Sequence, residues 1–97
     1  MQPLDPRVVA AIEVLAAAGY SYAEIRRAIA PAASRAGVPR PAYTTVRRLA
    51  REHRDVRRAR RTAASPVLEK LLAGRLPSLY ELERLRESFL EAPAPRS

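Results

Sequence analysis

The residues with most chemistry to offer lie in one stretch. Nine arginines fall between Arg40 and Arg61, in RPAYTTVRRLAREHRDVRRARR, against only Glu52 and Asp55, so this segment carries +7 of the formal charge of +8. Guanidinium groups pair two N–H donors with a carboxylate or phosphate, or with O6 and N7 of guanine in a DNA major groove. An arginine face is often only solvated surface, balanced by acids one helical turn away. Here Glu52 with Arg48 and Asp55 with Arg51 are the available pairs, which leaves seven arginines uncompensated. The partner implied is an anion, and a large one.

Reaction chemistry is thin by comparison. The chain has no cysteine, which removes disulfides and thiolate nucleophiles. His53 is the only histidine and falls on an apolar stripe, where a packed imidazole is the expected state. Ser21, Ser65 and Ser78 stand where helix caps belong. No metal-ligand spacing, glycine-rich phosphate loop or serine–histidine–acid set is present, so the expectation is a protein that is not an enzyme and takes no cofactor, metal or small-molecule ligand. The four tyrosines do not make a base-stacking platform: Tyr43 reads as core, Tyr20 and Tyr22 flank a turn, and Tyr80 lies elsewhere.

Ninety-seven residues suit one small domain, and nineteen of them are alanine, so the expected core is modest. No apolar run is long enough to span a bilayer, and MQPLDPRVV lacks the basic-then-apolar layout of a secretory signal. The expected location is the cytoplasm, at the nucleoid.

The elements that must position the arginines follow from caps and periodicity. Asp5-Pro6 opens a first helix, with Val8, Ile12, Leu15 and Ala16 repeating at helical spacing until Gly19. Ser21 and Glu24 form a capping box for a second helix with Ile25 and Ile29 inside and Arg26 and Arg27 outside. Pro31 predicts a kink or stop near Ala30, and Gly37 a closing turn. Pro41 predicts the first turn of a third helix that runs to Arg61. On that helix Tyr43, Val46, Leu49, Ala50, His53 and Val56 share one face, while Thr44, Arg47, Arg48, Arg51, Asp55 and Arg58 share the other. Ser65-Pro66 and Pro77-Ser78 open two further leucine-bearing helices, and APAPRS is a proline-rich tail.

The run Gly19-Tyr20-Ser21-Tyr22-Ala23-Glu24-Ile25, then Gly37-Val38, then Tyr43-Thr44-Thr45-Val46-Arg47-Arg48-Leu49, resembles homeodomain-like helix-turn-helix modules of bacterial transposases, site-specific recombinases and small regulators. The resemblance spans residues 5–56. It implies a DNA-binding function in which Pro41, Thr44, Thr45 and Arg48 face the bases. The chain departs from the motif in its longer second helix, in Pro31, and in Pro39, where a serine or threonine cap is usual.

The fold expected is all-α: a three-helix helix-turn-helix core over residues 1–61, a C-terminal helical hairpin arm over residues 62–92, and a tail at 93–97. Arg40, Thr44, Thr45, Arg47, Arg48 and Arg51 are the candidate base-reaching residues, with Pro41 added by the resemblance, and Arg54 and Arg58, with Arg57, Arg60 and Arg61, the phosphate contacts. The function expected is sequence-specific binding of double-stranded DNA by a small bacterial or mobile-element transcriptional regulator. The leucines of Val67–Leu90 have three readings, packing on the DNA-binding core, pairing with a second copy or gripping another protein; the second is favoured, and a homodimer would present two recognition helices to a palindromic site. Two alternatives stand beside it: an adaptor that docks an acidic protein, and a non-catalytic DNA-binding subunit of a recombination or transposition complex.

Overall fold

A computed structural model describes residues 4–51 and 65–91, with side chains through Ser88. Every regular element among the described residues is a helix: α1 Pro6–Ala17, α2 Tyr22–Ala36, α3 Tyr43–Arg51, α4 Pro66–Leu72 and α5 Leu79–Glu91. The protein is therefore all-α. His53, Arg54, Val56, Arg58 and the linker before Ser65 lie outside the described residues, as does the tail.

α1 is the central element. Asp5 caps it, accepting the Arg7 N–H at 2.8 Å, and the Arg7 side chain holds the same carboxyl below its ordinary range. Rather than one apolar stripe, α1 buries Ala10, Ala11 and Val14 as well as Val8, Ile12, Leu15 and Ala16. A helix apolar on most sides needs neighbours on most sides, and α2, α3 and α5 all pack against it. Alanine makes this possible, because a methyl side chain lets helices approach closely. Among the described residues, eight of the eighteen buried apolar side chains are alanine. The alanine content is thus part of the core and not a dilution of it.

α2 begins at the capping box: Glu24 N–H donates to Ser21 Oγ at 3.2 Å and Ser21 N–H to Glu24 Oε1 at 2.8 Å. α2 does not stop near Ala30 but runs through Pro31 to Ala36. A proline inside a helix costs about 3 kcal/mol. Ile25, Ile29, Ala32 and Ala33 are buried on both sides of it, and each buried isoleucine alone contributes roughly 1.5–3 kcal/mol. Tertiary packing outweighs the local defect. Pro31 itself is exposed.

Gly37 then closes α2 at φ +72, with Val38 N–H donating to the Ala33 carbonyl at 3.0 Å and Gly37 N–H to that of Ser34 at 3.2 Å. This pair of bonds is a Schellman motif, and its left-handed residue is strained for any side chain with a Cβ. The turn redirects the chain so that α3 lies across α1 and α2. α3 starts at Tyr43, two residues after Pro41, so Pro41 is not its first-turn residue.

The C-terminal helices pack on the first three. α5 packs along α1, α4 packs on α2 and α5, and Leu68, Leu71 and Leu82 join one core cluster with Ile12, Leu15 and Val46. An ion pair between Glu13 and Arg86 links α1 to α5 at its edge. Burying those three leucines is worth roughly 5–9 kcal/mol in all, comparable with the whole stability of a small domain. The leucines that suggested self-association are largely occupied within the chain. Leu72 and Tyr80, at 51% and 69% exposure, remain at the surface.

Candidate nucleic-acid interface

The described part of α3, Tyr43–Arg51, has little local support: no acid in its first turn, and like charges one turn apart at Arg47, Arg48 and Arg51. Such pairs each destabilise an isolated helix by about 0.2–0.5 kcal/mol. Burial of Val46 and Ala50 against α1 and α2, with Leu49 half-buried, holds it in place. Ala42, the residue before it, has no side-chain acceptor with which to cap it.

With Val46 and Ala50 turned inward, the opposite stripe is set by helical spacing. Thr44, Arg47, Arg48 and Arg51 stand at i, i+3, i+4 and i+7, are all exposed, and line one shallow recess of about 410 Å³. The structure therefore brings four of the expected site residues together. Thr45 is half-buried and outside the recess. Arg40 is exposed but lines a second, larger cleft of about 650 Å³ between α2 and the start of α3.

Two expectations need correction. Pro41 is buried in the segment between α2 and α3, at the wall of the larger cleft, and presents almost no surface to a base edge. Tyr43, expected in the core, is 43% exposed and walls the larger cleft. The reason is the same for both. The turn after Gly37 consumes more residues than the proline pattern implied, so α3 starts later, and the inward positions begin at Val46.

The larger cleft also contains two residues that the sequence placed only on an outer surface, Arg26 and Arg27 of α2. Ala23, Arg26, Arg27 and Ala30 repeat the i, i+3, i+4, i+7 spacing seen on α3, again with an Arg-Arg pair at the centre. That spacing was legible. Its position beside Arg40 was not, because it depends on how α2 and α3 pack.

No carboxylate among the described residues pairs with Arg26, Arg27, Arg40, Arg47, Arg48 or Arg51; the pairs formed between described residues are Arg7–Asp5, Lys70–Glu81 and Arg86–Glu13. Six guanidinium groups on α2, α3 and the segment between them therefore lack an ion-pair partner among the described residues. Among the described residues no polar or charged side chain is buried, and no cluster of histidine, cysteine or acids could hold a metal ion. No described helix is long and apolar enough to cross a membrane. The chemistry on offer is donation to anions at a surface.

Comparison with known proteins returns no match: no protein-family model, curated protein or solved structure is significantly similar to this chain.

Proposed function

We propose that this protein binds double-stranded DNA by laying the outer face of α3 in the major groove, and that it acts as a small transcriptional regulator. The observation that carries this reading is the Thr44, Arg47, Arg48 and Arg51 stripe. It is exposed, lacks acid partners among the described residues, and lies on a helix braced from behind by Val46 and Ala50. An α-helix fits a major groove, and arginine and threonine suit base edges and phosphates there. The uncapped first turn of α3 also favours an anion, because its amide groups carry partial positive charge.

Arg48 lines the recess one helical turn from both Thr44 and Arg51 and is the proposed base reader, with Arg47 and Thr44 beside it. Arg54 and Arg58 are proposed as phosphate contacts on their sequence alone. Self-association through residues 67–90 is the weaker part of the reading, since Leu68, Leu71 and Leu82 serve the intramolecular core.

Selection of duplexes from a random library by the full chain, followed by fluorescence anisotropy across salt, tests the proposal. Enrichment of one motif and a steep loss of affinity with salt are expected. A palindromic motif supports two copies. Absence of duplex binding at low salt, with co-purification of an acidic protein instead, transfers the arginine face to the adaptor reading.

A further inference from the structure

We propose that the cleft between α2 and the start of α3 takes a small-molecule ligand, which the sequence alone does not suggest. The ligand is a nucleoside monophosphate: Arg26, Arg27 and Arg40 hold its terminal phosphate, and Tyr43 stacks on its base. Occupation of this site does not depend on the duplex reading above; its effect on duplex binding does.

The cleft, at about 650 Å³, has the size of a small-ligand site. Arg26 and Arg27 enter it from α2 and Arg40 from the connecting segment. All three are exposed, and none has an ion-pair partner among the described residues. Three like charges around one opening repel each other, and the anion that best offsets them brings more than one charge. A phosphodiester has a single charge and two free oxygens. A terminal phosphate has about −1.5 to −2 charges at neutral pH and three acceptor oxygens, one for each guanidinium. The cleft also reaches the start of α3, where Ala42 and Tyr43 line it. Ala42 offers no side-chain cap, so the first-turn amides there favour the same anion.

Tyr43 supplies what a bare phosphate does not use. Periodicity places this ring in the core, where no ligand could reach it, but it is 43% exposed and walls the cleft. A tyrosine at the edge of a phosphate site offers its face to a planar ring, and base stacking of this kind tolerates any base. One ring serves one base, so the ligand is a mononucleotide and not a strand. Ala23 and Ala30, one turn to either side of the arginine pair, are small and leave room for the sugar.

Tyr43 of the cleft and Thr44 of the α3 recess are sequence neighbours, so the two sites adjoin. A dianion held in the cleft repels an approaching phosphate strand, and the mononucleotide therefore antagonises duplex binding.

The test titrates the full chain, by calorimetry at about 50 mM salt, with nucleoside 5′-monophosphates, the matching nucleosides, inorganic phosphate, and a dinucleotide whose phosphate is an internal diester. The monophosphates should bind at least about tenfold tighter than any of the other three. R26A/R27A should lose about tenfold or more of that affinity, while R75A/R84A, a control at exposed arginines outside the cleft, keeps it. Tyr43→Leu should weaken the monophosphates by about fivefold or more and leave inorganic phosphate unchanged. Monophosphate binding no tighter than inorganic phosphate, or an equal loss in the control, overturns the site. Tighter binding of the dinucleotide overturns it in favour of a nucleic-acid strand. In a last arm, saturating monophosphate should weaken the selected duplex by about tenfold in wild type and not in R26A/R27A. Unchanged duplex affinity overturns the antagonism. If wild type binds the monophosphates but no duplex, the proposed function falls and the site stands.

Discussion

Lys70 Nζ lies 3.1 Å from Glu81 Oε2, and the other oxygen of the same carboxylate accepts the Ser78 N–H at 3.1 Å. Glu81 therefore links α4 to α5 and completes a capping box, because Ser78 Oγ accepts the Glu81 N–H at 3.2 Å. The Ser78 amide bond is the main reason its carboxyl sits below the ordinary 4.5, with Lys70 next. Asp5 is likewise held below 3.8, chiefly by the Arg7 side chain. A depressed folded-state value means that the stabilisation is present above the ordinary value and is lost as pH falls through the lowered one. The thermal midpoint should thus hold steady above about pH 5 and decline in more acid solution. Glu81→Gln should make that decline shallower, as followed by circular dichroism across pH. An acid limb as steep as wild type in the variant would remove Glu81 from the account.

Leu82 is fully buried on α5 against the α1 core. Leu82→Ala should cost about 2–5 kcal/mol, by loss of transfer free energy and the cavity left behind. Residues 1–64 alone should fail to give a cooperative urea transition. A truncated chain that melts as cooperatively as the whole would restore the view that the C-terminal helices are a separable arm.

Pro31 lies on the exposed side of α2, with its Cβ 3.7 Å from the point where a Cβ on Gly74 would sit. Pro31→Ala restores an N–H donor for the Arg27 carbonyl and removes the ring clash. It also loosens the unfolded chain, which takes back up to about 1 kcal/mol. The net expectation is a stabilisation of about 1–2 kcal/mol in denaturant melts. A loss of stability would mean that the ring's contact with the end of α4 matters more than the helix defect.

Arg48→Ala should reduce discrimination between the selected and scrambled duplexes by about 1–3 kcal/mol. Arg35, exposed near the end of α2 and outside both recesses, should leave discrimination intact when changed to alanine. Competition anisotropy with the two duplexes measures both. If both variants discriminate like wild type, Arg48 is not the reader.

By itself the sequence determined the helices and most of their ends. Asp5, Ser21 with Glu24, Gly37 and Ser65 act within a few residues of where they stand, and local hydrogen bonds suffice to express them. The arginine stripe on α3 was also legible, since its spacing is intrinsic to a helix once Val46 and Ala50 face inward. The Ser78–Glu81 box has the same serine-to-glutamate spacing as Ser21–Glu24 and is legible in the same way. Tertiary structure decided what depends on neighbours far along the chain. It carried α2 through Pro31, because burial on both sides exceeds the cost of one missing hydrogen bond and a crowded ring. It buried Pro41 and exposed Tyr43, because the path of the turn between two packed helices sets where α3 begins. It placed α5 on α1, and so decided that the C-terminal leucines pack on the core. And it set Arg26 and Arg27 beside Arg40, a grouping that no local periodicity contains and that arises only from the packing of α2 and α3.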